Sequence, residues 1–338
     1  MEVLITGATG LIGSHLTAHV LLKGESVSAF VRKNSKRENI KEVLSFYTED
    51  YEAYYNNIKF ITGDITDYFS VSDALEGIDE VYHCAGMVDF NEKKLKQLLL
   101  INETGTSNLI NAALDRKGIR VCHISSIATI PNHDKKPIID EQIFWKSSPK
   151  NAAYSISKYN AEREAWRGIA EGLDLFMINP SIVLGAGCWN QSTGKIIEEC
   201  RKGVKFYTNG ITGFVDVRDV AEIMFKLMKS KITAQRFILN GENKSYKSLL
   251  FRFHEAFGNN APSIKAGKFS LSIATFLDYL FSKERRLNKQ VVESLLSESY
   301  FSNEKIKTET GHEFYPIDET INYIVKKYIA FLSNQKNS

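Results

Sequence analysis

Apolar and polar positions change rhythm along the first half of the chain, and each change marks an element. Val3, Leu4, Ile5 and Thr6 form a short apolar, β-branched run that stops at Gly7, which predicts a strand. Ile12, Leu16 and Val20 then recur at steps of four, the spacing of a one-sided helix, and Gly24 is placed to end it. Strand-like runs return at Ser26–Val31 and at residues 58–62, 80–84, 119–124 and 173–178. Helical patterns lie between them, notably over residues 95–114 and Ala153–Ala170. Strand and helix in regular alternation predict an α/β fold, a doubly wound parallel sheet with helices on both faces.

Past residue 178 the alternation breaks down. A helix, a short strand and a second helix are expected within residues 192–230, and Arg236–Leu239 reads as a further strand. Helices are expected at residues 269–281, Lys289–Leu296 and 320–332. The expected organisation is a sheet domain over residues 1–178, with a returning segment near 214–240, and a smaller, mainly helical part over 179–338. No linker or repeat separates them, so they are expected to pack as one body. Residues 46–55, rich in Tyr and acids, read as a surface helix or loop.

Composition narrows the classes of function. A formal charge of +3 in 338 residues, with no basic stripe interleaved with aromatics, gives no reason to expect nucleic acid. Cys84, Cys122, Cys188 and Cys200 contain no CxxC pair and read as packed, reduced thiols. His15 and His19 stand four apart but lack a third ligand nearby, so they read as helix-surface or packing residues and no metal is expected. A strand beginning at Glu2 leaves no room for a leader peptide. No apolar run approaches the roughly 20 residues that span a bilayer, and the cytoplasm is the default compartment.

The strongest local signal is Thr6-Gly7-Ala8-Thr9-Gly10-Leu11-Ile12-Gly13, which follows a strand and opens a helix. Glycines there let the backbone approach a pyrophosphate, and the helix N-terminus offers N–H groups and a positive dipole end. The alternative is a tight turn and nothing more. In a Rossmann-type sheet the choice of dinucleotide is read about 20 residues past the last glycine, where an acid holds the ribose 2′-hydroxyl of NAD. Val31-Arg32-Lys33 occupies that place, with Lys36 and Arg37 behind it. The planar donor fork of Arg32 suits a 2′-phosphate, which favours NADP(H) over NAD(H); a solvated basic loop is the other reading. Asp64 in Gly63-Asp64-Ile65 is placed to accept from an adenine amino group, or simply to make an Asp turn. Small residues at Cys84-Ala85-Gly86 allow close approach of a cofactor.

Hydride transfer to a carbonyl needs a proton donor and a group that holds the oxygen. Tyr154 and Lys158 share a helix face, so the ammonium can lower the phenol's pKa and also reach a ribose. The same spacing occurs at Tyr55/Lys59, Tyr279/Lys283 and Tyr323/Lys327. Context singles out Tyr154, because its helix follows the strand that ends in Ser125-Ser126, and strand ends line the ligand crevice. Strand alternation lets only one of the two serines face inward, and Ser126 is the expected one. Ordinary helix-surface packing is the competing role for Tyr154 and Lys158.

In combination, Gly7-x-x-Gly10-x-x-Gly13, Gly63-Asp64, Ser125-Ser126, Tyr154-x-x-x-Lys158 and Asn179-Pro180-Ser181 resemble the extended short-chain dehydrogenase/reductase superfamily, the NAD-dependent epimerase/dehydratase family. The resemblance covers nearly the whole chain, including Phe214-Val215-Asp216-Val217-Arg218-Asp219-Val220-Ala221. It implies Tyr154 as acid/base, Lys158 as its partner and a cofactor ligand, and Ser126 as the hydroxyl that polarises the substrate. It also implies that Asn102 supports the active-site helix and a proton relay, and that Pro180 and Ser181 border the cofactor. Val31-Arg32, the Ala85–Phe90 segment and the Ile178–Gly185 segment are similar to the dihydroflavonol 4-reductase-like branch of ketone and aldehyde reductases. Ile127-Ala128 stands where dehydratases carry an acidic pair, which argues against that chemistry. A nucleotide-sugar epimerase with tightly held NAD is the alternative function. The expected partner is a small-molecule substrate, and a homodimer through the helices at 95–114 and Ala153–Ala170 is the quaternary default.

Overall fold

The computed structural model describes residues 1–131, 137–149, 151–268, 270–271 and 289–336. The early strands are Glu2–Thr6 (β1), Ser26–Val31 (β2), Lys59–Thr62 (β3), Glu80–His83 (β4), Arg120–Ile124 (β5) and Asp174–Pro180 (β6). The later ones are Ile182–Leu184 (β7), Phe206–Tyr207 (β8), Ile211–Asp216 (β9), Arg236–Leu239 (β10), Glu242–Ser245 (β11) and Ile264–Lys265 (β12). Helices up to the middle of the chain are Leu11–Leu22 (α1), Glu38–Leu44 (α2), Tyr51–Asn56 (α3), Tyr68–Ala74 (α4), Leu95–Leu98 (α5), Gly105–Leu114 (α6) and Ala153–Ala170 (α7). Ser192–Lys202 (α8), Val217–Met228 (α9) and Tyr246–Ala256 (α10) follow.

Seven strands form one parallel sheet in the order β10-β6-β5-β4-β1-β2-β3. Its central strands are buried on both faces, which is why Val3–Ile5, Val81–Tyr82 and Leu175–Ile178 read as continuous apolar runs. On one face Ile5, Tyr82 and Phe176 pack with Leu16 and Val20 of α1 and Ile223 and Leu227 of α9. On the other, Leu4, Val121 and Met177 pack with Leu109 of α6 and Ala165 of α7. After β3 the chain crosses back to the far side of β1, so the strand order reverses between β1 and β4. In such sheets the crevice for a ligand opens at the carboxyl ends of the strands flanking that reversal.

β6 runs two residues beyond the expected strand, because Asn179 and Pro180 pair with Ile238 and Leu239 of β10. Arg236–Leu239 thus supplies the outer edge of the main sheet, whereas β7, β9 and β11 form a separate three-stranded sheet. A third apolar cluster, including Leu184, Ile197, Phe214, Phe253 and Ile321, sits between that sheet and the helices α8, α10 and Ile317–Lys336. The continuous helix expected over 95–114 is interrupted by a π-helical turn, Leu99–Thr104, between α5 and α6. Of the helix expected at 269–281, residues 269 and 272–281 lie outside the described residues.

Residues 46–55 are less superficial than their polarity suggested. Tyr47, Tyr51, Tyr54 and Tyr55 pack on the first core cluster. The Ala186 carbonyl accepts from His15 Nε2 at 2.8 Å, which leaves Nδ1 to accept from the Tyr47 hydroxyl at 2.6 Å. Burial holds His15 down to about 4, so it is a neutral packing residue. His19 is half-buried and meets Phe225 edge-on. All four cysteines are free thiols, and no helix among the described residues is long and apolar enough to cross a membrane.

Candidate functional site

The turn between β1 and α1 is shaped by what its glycines exclude. Gly7 has φ +66°, and a Cβ there would strike the Ala85 nitrogen at 2.7 Å. A Cβ on Gly13 would meet the Gly7 carbonyl oxygen at 2.2 Å. A Cβ on Gly10, by contrast, would meet only Gly7 O, at 3.4 Å, and no side chain among the described residues caps the helix it begins. An uncapped helix N-terminus behind an open concave turn is a seat for an anion, so the residues present fit a dinucleotide pyrophosphate. Asn39 fixes the turn by donating to the Thr9 carbonyl at 2.9 Å. Leu11 and Ile12 are half-buried, and Ile12 packs onto the first core cluster.

Three of the four cations that follow β2, Arg32, Lys33 and Lys36, are exposed. Arg37 instead lies over the Phe60 ring at 4.7 Å and donates to Thr62 Oγ1 at 3.2 Å. The Asp64 Oδ1 accepts from both the Thr66 amide (2.9 Å) and hydroxyl (2.8 Å), the Asp-turn geometry. These bonds, with Arg32 nearby, hold its carboxyl below the usual range. Ile65 is buried, and its carbonyl accepts from Asn108 of α6 at 3.0 Å. Ala85 donates its amide to Thr6 Oγ1 at 3.1 Å, joining the end of β4 to the end of β1 at the strand-order reversal. Pro180 is buried at the end of β6, and the Oγ of Ser181 beside it is buried with no partner among the described residues.

Tyr154 lies in the first turn of α7, whose Ala153 amide is capped by Glu92 Oε2 at 3.1 Å. Its ring meets Phe90 edge-on with centroids 5.5 Å apart. Ser126 Oγ accepts from the Ala128 amide at 3.1 Å, which leaves its own O–H for the Tyr154 oxygen. Burial raises the Tyr154 phenol above its ordinary value, and the bond to Ser126 opposes that rise. Lys158, one turn on, is buried and donates to the Ile124 carbonyl at 2.7 Å. Burial pushes its ammonium down to about 8, against the pull of Glu162. Lys158 thus faces the end of β5, and the bond from Ser126 opposes the effect of burial on Tyr154.

Asn102 sits on the π-helical turn, fully buried. Its Oδ1 accepts from the Met87 amide at 2.7 Å, and its Nδ2 donates to Met87 O (3.0 Å) and Ser157 Oγ (2.9 Å). It thereby ties the segment after β4 to α7. A Cβ on Gly86 would come within 3.3 Å of Asn102 Oδ1 and 4.0 Å of Lys158 Nζ, so both residues border the space that Gly86 leaves open. Ser125 points away from this space. Its hydroxyl donates to Glu162 Oε2 at 2.5 Å.

Glu162 is the residue that sequence reasoning missed. It is buried, and Oε2 also accepts from Thr129 Oγ1 at 2.7 Å and Asn179 Nδ2 at 2.9 Å. Its Oε1 is paired with Arg236 at 2.9 Å, and that guanidinium also donates to the carbonyls of Glu141 and Ile143. Burial pushes the carboxyl up, but Arg236 and the three hydrogen bonds outweigh it and hold Glu162 ionised. One carboxylate therefore fastens the ends of β5 and β6, the edge strand β10 and α7 directly behind Ser126. The step of four from Tyr154 to Lys158 to Glu162 was the available signal, since it places all three on one helix face. His83 and His123, also buried nearby with ring centroids 5.3 Å apart, are held far below the usual histidine range by burial and stay neutral.

Comparison with known proteins agrees with this geometry. The sequence profile of the NAD dependent epimerase/dehydratase family matches residues 3–239. Cinnamoyl-CoA reductase 1 of Petunia hybrida is 32% identical over 247 residues, 70% of this chain and 71% of the relative. A putative dihydroflavonol 4-reductase of Synechocystis is 30% identical over 267 residues, 76% of this chain and 73% of the relative. Among solved structures, that of gox2253 superposes with a TM-score of 0.81 at 26% identity, covering 98% of both chains. The chain therefore belongs to the NAD dependent epimerase/dehydratase family and is an NAD(P)-dependent oxidoreductase of the extended short-chain dehydrogenase/reductase type.

Proposed function

We propose that this protein reduces a ketone or aldehyde of a small organic substrate with NADPH, or oxidises the corresponding alcohol with NADP+. The observation that carries the reading is the convergence of the Ser126 hydroxyl, the Tyr154 phenol and the Lys158 ammonium at the carboxyl end of β5, beside the strand-order reversal. When bound, NADPH would supply the hydride for the substrate's carbonyl carbon, the C=O π pair passing onto oxygen. Ser126 donates to that oxygen and holds it near Tyr154. Tyr154 gives its proton to the same oxygen, and the alcohol is complete. Lys158 places positive charge near the phenolate that remains, and would hold a ribose hydroxyl of the cofactor. Asn102 keeps α7 and the Met87 segment in register with both.

The glycine turn with Thr9, Leu11 and Ile12 would hold the pyrophosphate, and Asp64 with Ile65 the adenine end. Ala85, Pro180 and the unpartnered hydroxyl of Ser181 would border the nicotinamide end. Exposed Arg32 and Lys36 after β2, where no acid stands, support NADP(H) over NAD(H). The similarity to cinnamoyl-CoA and dihydroflavonol reductases supports a carbonyl as the reacting group.

The test is Tyr154→Phe with NADPH oxidation followed on a panel of aldehydes and ketones. Turnover falls by about 100- to 10,000-fold, the range of a lost general acid, while NADPH affinity stays within a few fold. Full activity in the variant ends the mechanism. A wild-type protein that holds NAD through purification, and that uridine diphosphate protects from heat, is instead a nucleotide-sugar epimerase.

A further inference from the structure

The three-stranded sheet that leaves the main sheet at Pro180 forms one wall of a cavity of about 260 Å³. Leu184 on β7, Phe214 on β9, Ile197 on α8 and Leu249 and Phe253 on α10 line it. No Asp, Glu, Lys or Arg is among the described residues that line it. The hydroxyl of its Thr193 is taken up by the Val183 carbonyl at 3.1 Å. The cation just past β9 is not available either. Arg218 is held by both oxygens of Asp216 and lies between the rings of Tyr315 (4.0 Å) and Tyr323 (4.2 Å).

At its rim Ile196 and Phe206 are 44% and 54% exposed, so the rim itself is apolar. A cavity of about 150 Å³ already takes benzene, so this one admits a larger hydrocarbon group. A diphosphate seated here would lose its hydration with no cation to replace it. The wall begins close to the chemistry. Ile182 is two residues past Pro180, at most about 7 Å of extended chain.

We infer that this cavity is a binding site for an uncharged hydrocarbon group, and that the substrate is a carbonyl compound or alcohol whose apolar end seats there. The second clause rests on the reductase reading of Tyr154 and Ser126; the first does not. Each methylene buried in the cavity strengthens binding by about fourfold until the space is filled.

The experiment uses the full chain and the neutral fluorophore N-phenyl-1-naphthylamine. Its fluorescence rises on binding, and straight-chain primary alcohols from butanol to decanol displace it with affinities that climb with length. Uridine diphosphate leaves it bound. Ile196→Glu, at a rim position exposed enough to spare the fold, weakens the fluorophore by about tenfold through the charge it brings to the rim. Ile196→Trp narrows the rim and shortens the alcohol of best affinity. No fluorescence gain, affinities independent of chain length, or displacement by uridine diphosphate overturns the site.

NADPH oxidation with the matching aldehydes separates the two readings. Retained fluorophore with no aldehyde reduced ends the reductase reading and leaves the hydrocarbon site standing. Aldehydes reduced equally at every chain length, with no fluorophore held, end the hydrocarbon site and leave the reductase.

Discussion

Two buried regions lie on either side of Pro180, and they solve opposite problems. Behind Ser126 the space around Glu162 is filled by an ion pair and three hydrogen bonds that tie one helix to three strands. Beyond β7 the space among Leu184, Phe214 and Phe253 is lined by hydrocarbon and left partly empty. The first region fixes where a hydroxyl and a phenol stand, because every donor and acceptor admits few geometries. The second is bounded by non-directional contacts, so its shape changes when a methyl group is added or removed. Chemistry is anchored by directional bonds, and the site for a variable group is built without them.

That contrast is broken most severely at Glu162. Glu162→Ala strands the Arg236 guanidinium in the interior, and denaturant unfolding should show a loss of about 3–5 kcal/mol. A loss under about 1 kcal/mol would mean that water or a second acid takes over the pair.

The next effect appears with pH. Burial lowers Lys158 from the ordinary lysine value of 10.5 to about 8. Between these values the unfolded chain binds more protons than the folded one, so this residue's contribution makes stability rise with pH in that window. Turnover in the reductive direction should run the other way, falling about tenfold per pH unit above about 8 as the ammonium is lost. In Lys158→Arg the side chain stays charged, and whatever activity survives should lack that alkaline limb. A wild-type profile flat to pH 10 would remove Lys158 from the chemistry.

Arg32→Ala sharpens the cofactor half. Loss of one charge-assisted contact of about 1.5–3 kcal/mol should weaken NADPH by more than tenfold while NADH changes little, as read by titration calorimetry. Equal losses for both would show that Arg32 does not meet a 2′-phosphate. The smallest effect belongs to the apolar side. Ile197→Val removes one methyl from the cavity wall and should cost about 0.5–1.5 kcal/mol. A loss as large as that of Glu162→Ala would erase the distinction between the two regions.

Much of this architecture is legible in the sequence, for a physical reason. Strands buried on both faces read as unbroken apolar runs, and a glycine turn that lets strand, helix and ligand approach closely permits few residue types. That Ser126, Tyr154 and Lys158 gather at one strand end is legible, because a strand end and one helical step suffice to bring them together. That Glu162 meets Arg236 is not, because their contact depends on which strand closes the sheet, and local pattern does not carry that. The π-helical turn under Asn102 was invisible for the same reason, since a helix with one widened turn keeps its apolar spacing on either side. Asp64 shows the reverse case. Its motif announced an acid, and local hydrogen bonds to Thr66 engage one of its two oxygens.

The placement of Arg236–Leu239 at the sheet's outer edge has a consequence for the chain as it is synthesised. Glu162 and its countercharge are separated by 74 residues. At about 5–20 residues per second, roughly 4 to 15 seconds pass between the appearance of the acid and that of the arginine. β6, once made, is an open edge until β10 arrives, and the carboxylate has no Arg236 to pair with, so the first half of the sheet is sealed only by a segment translated later.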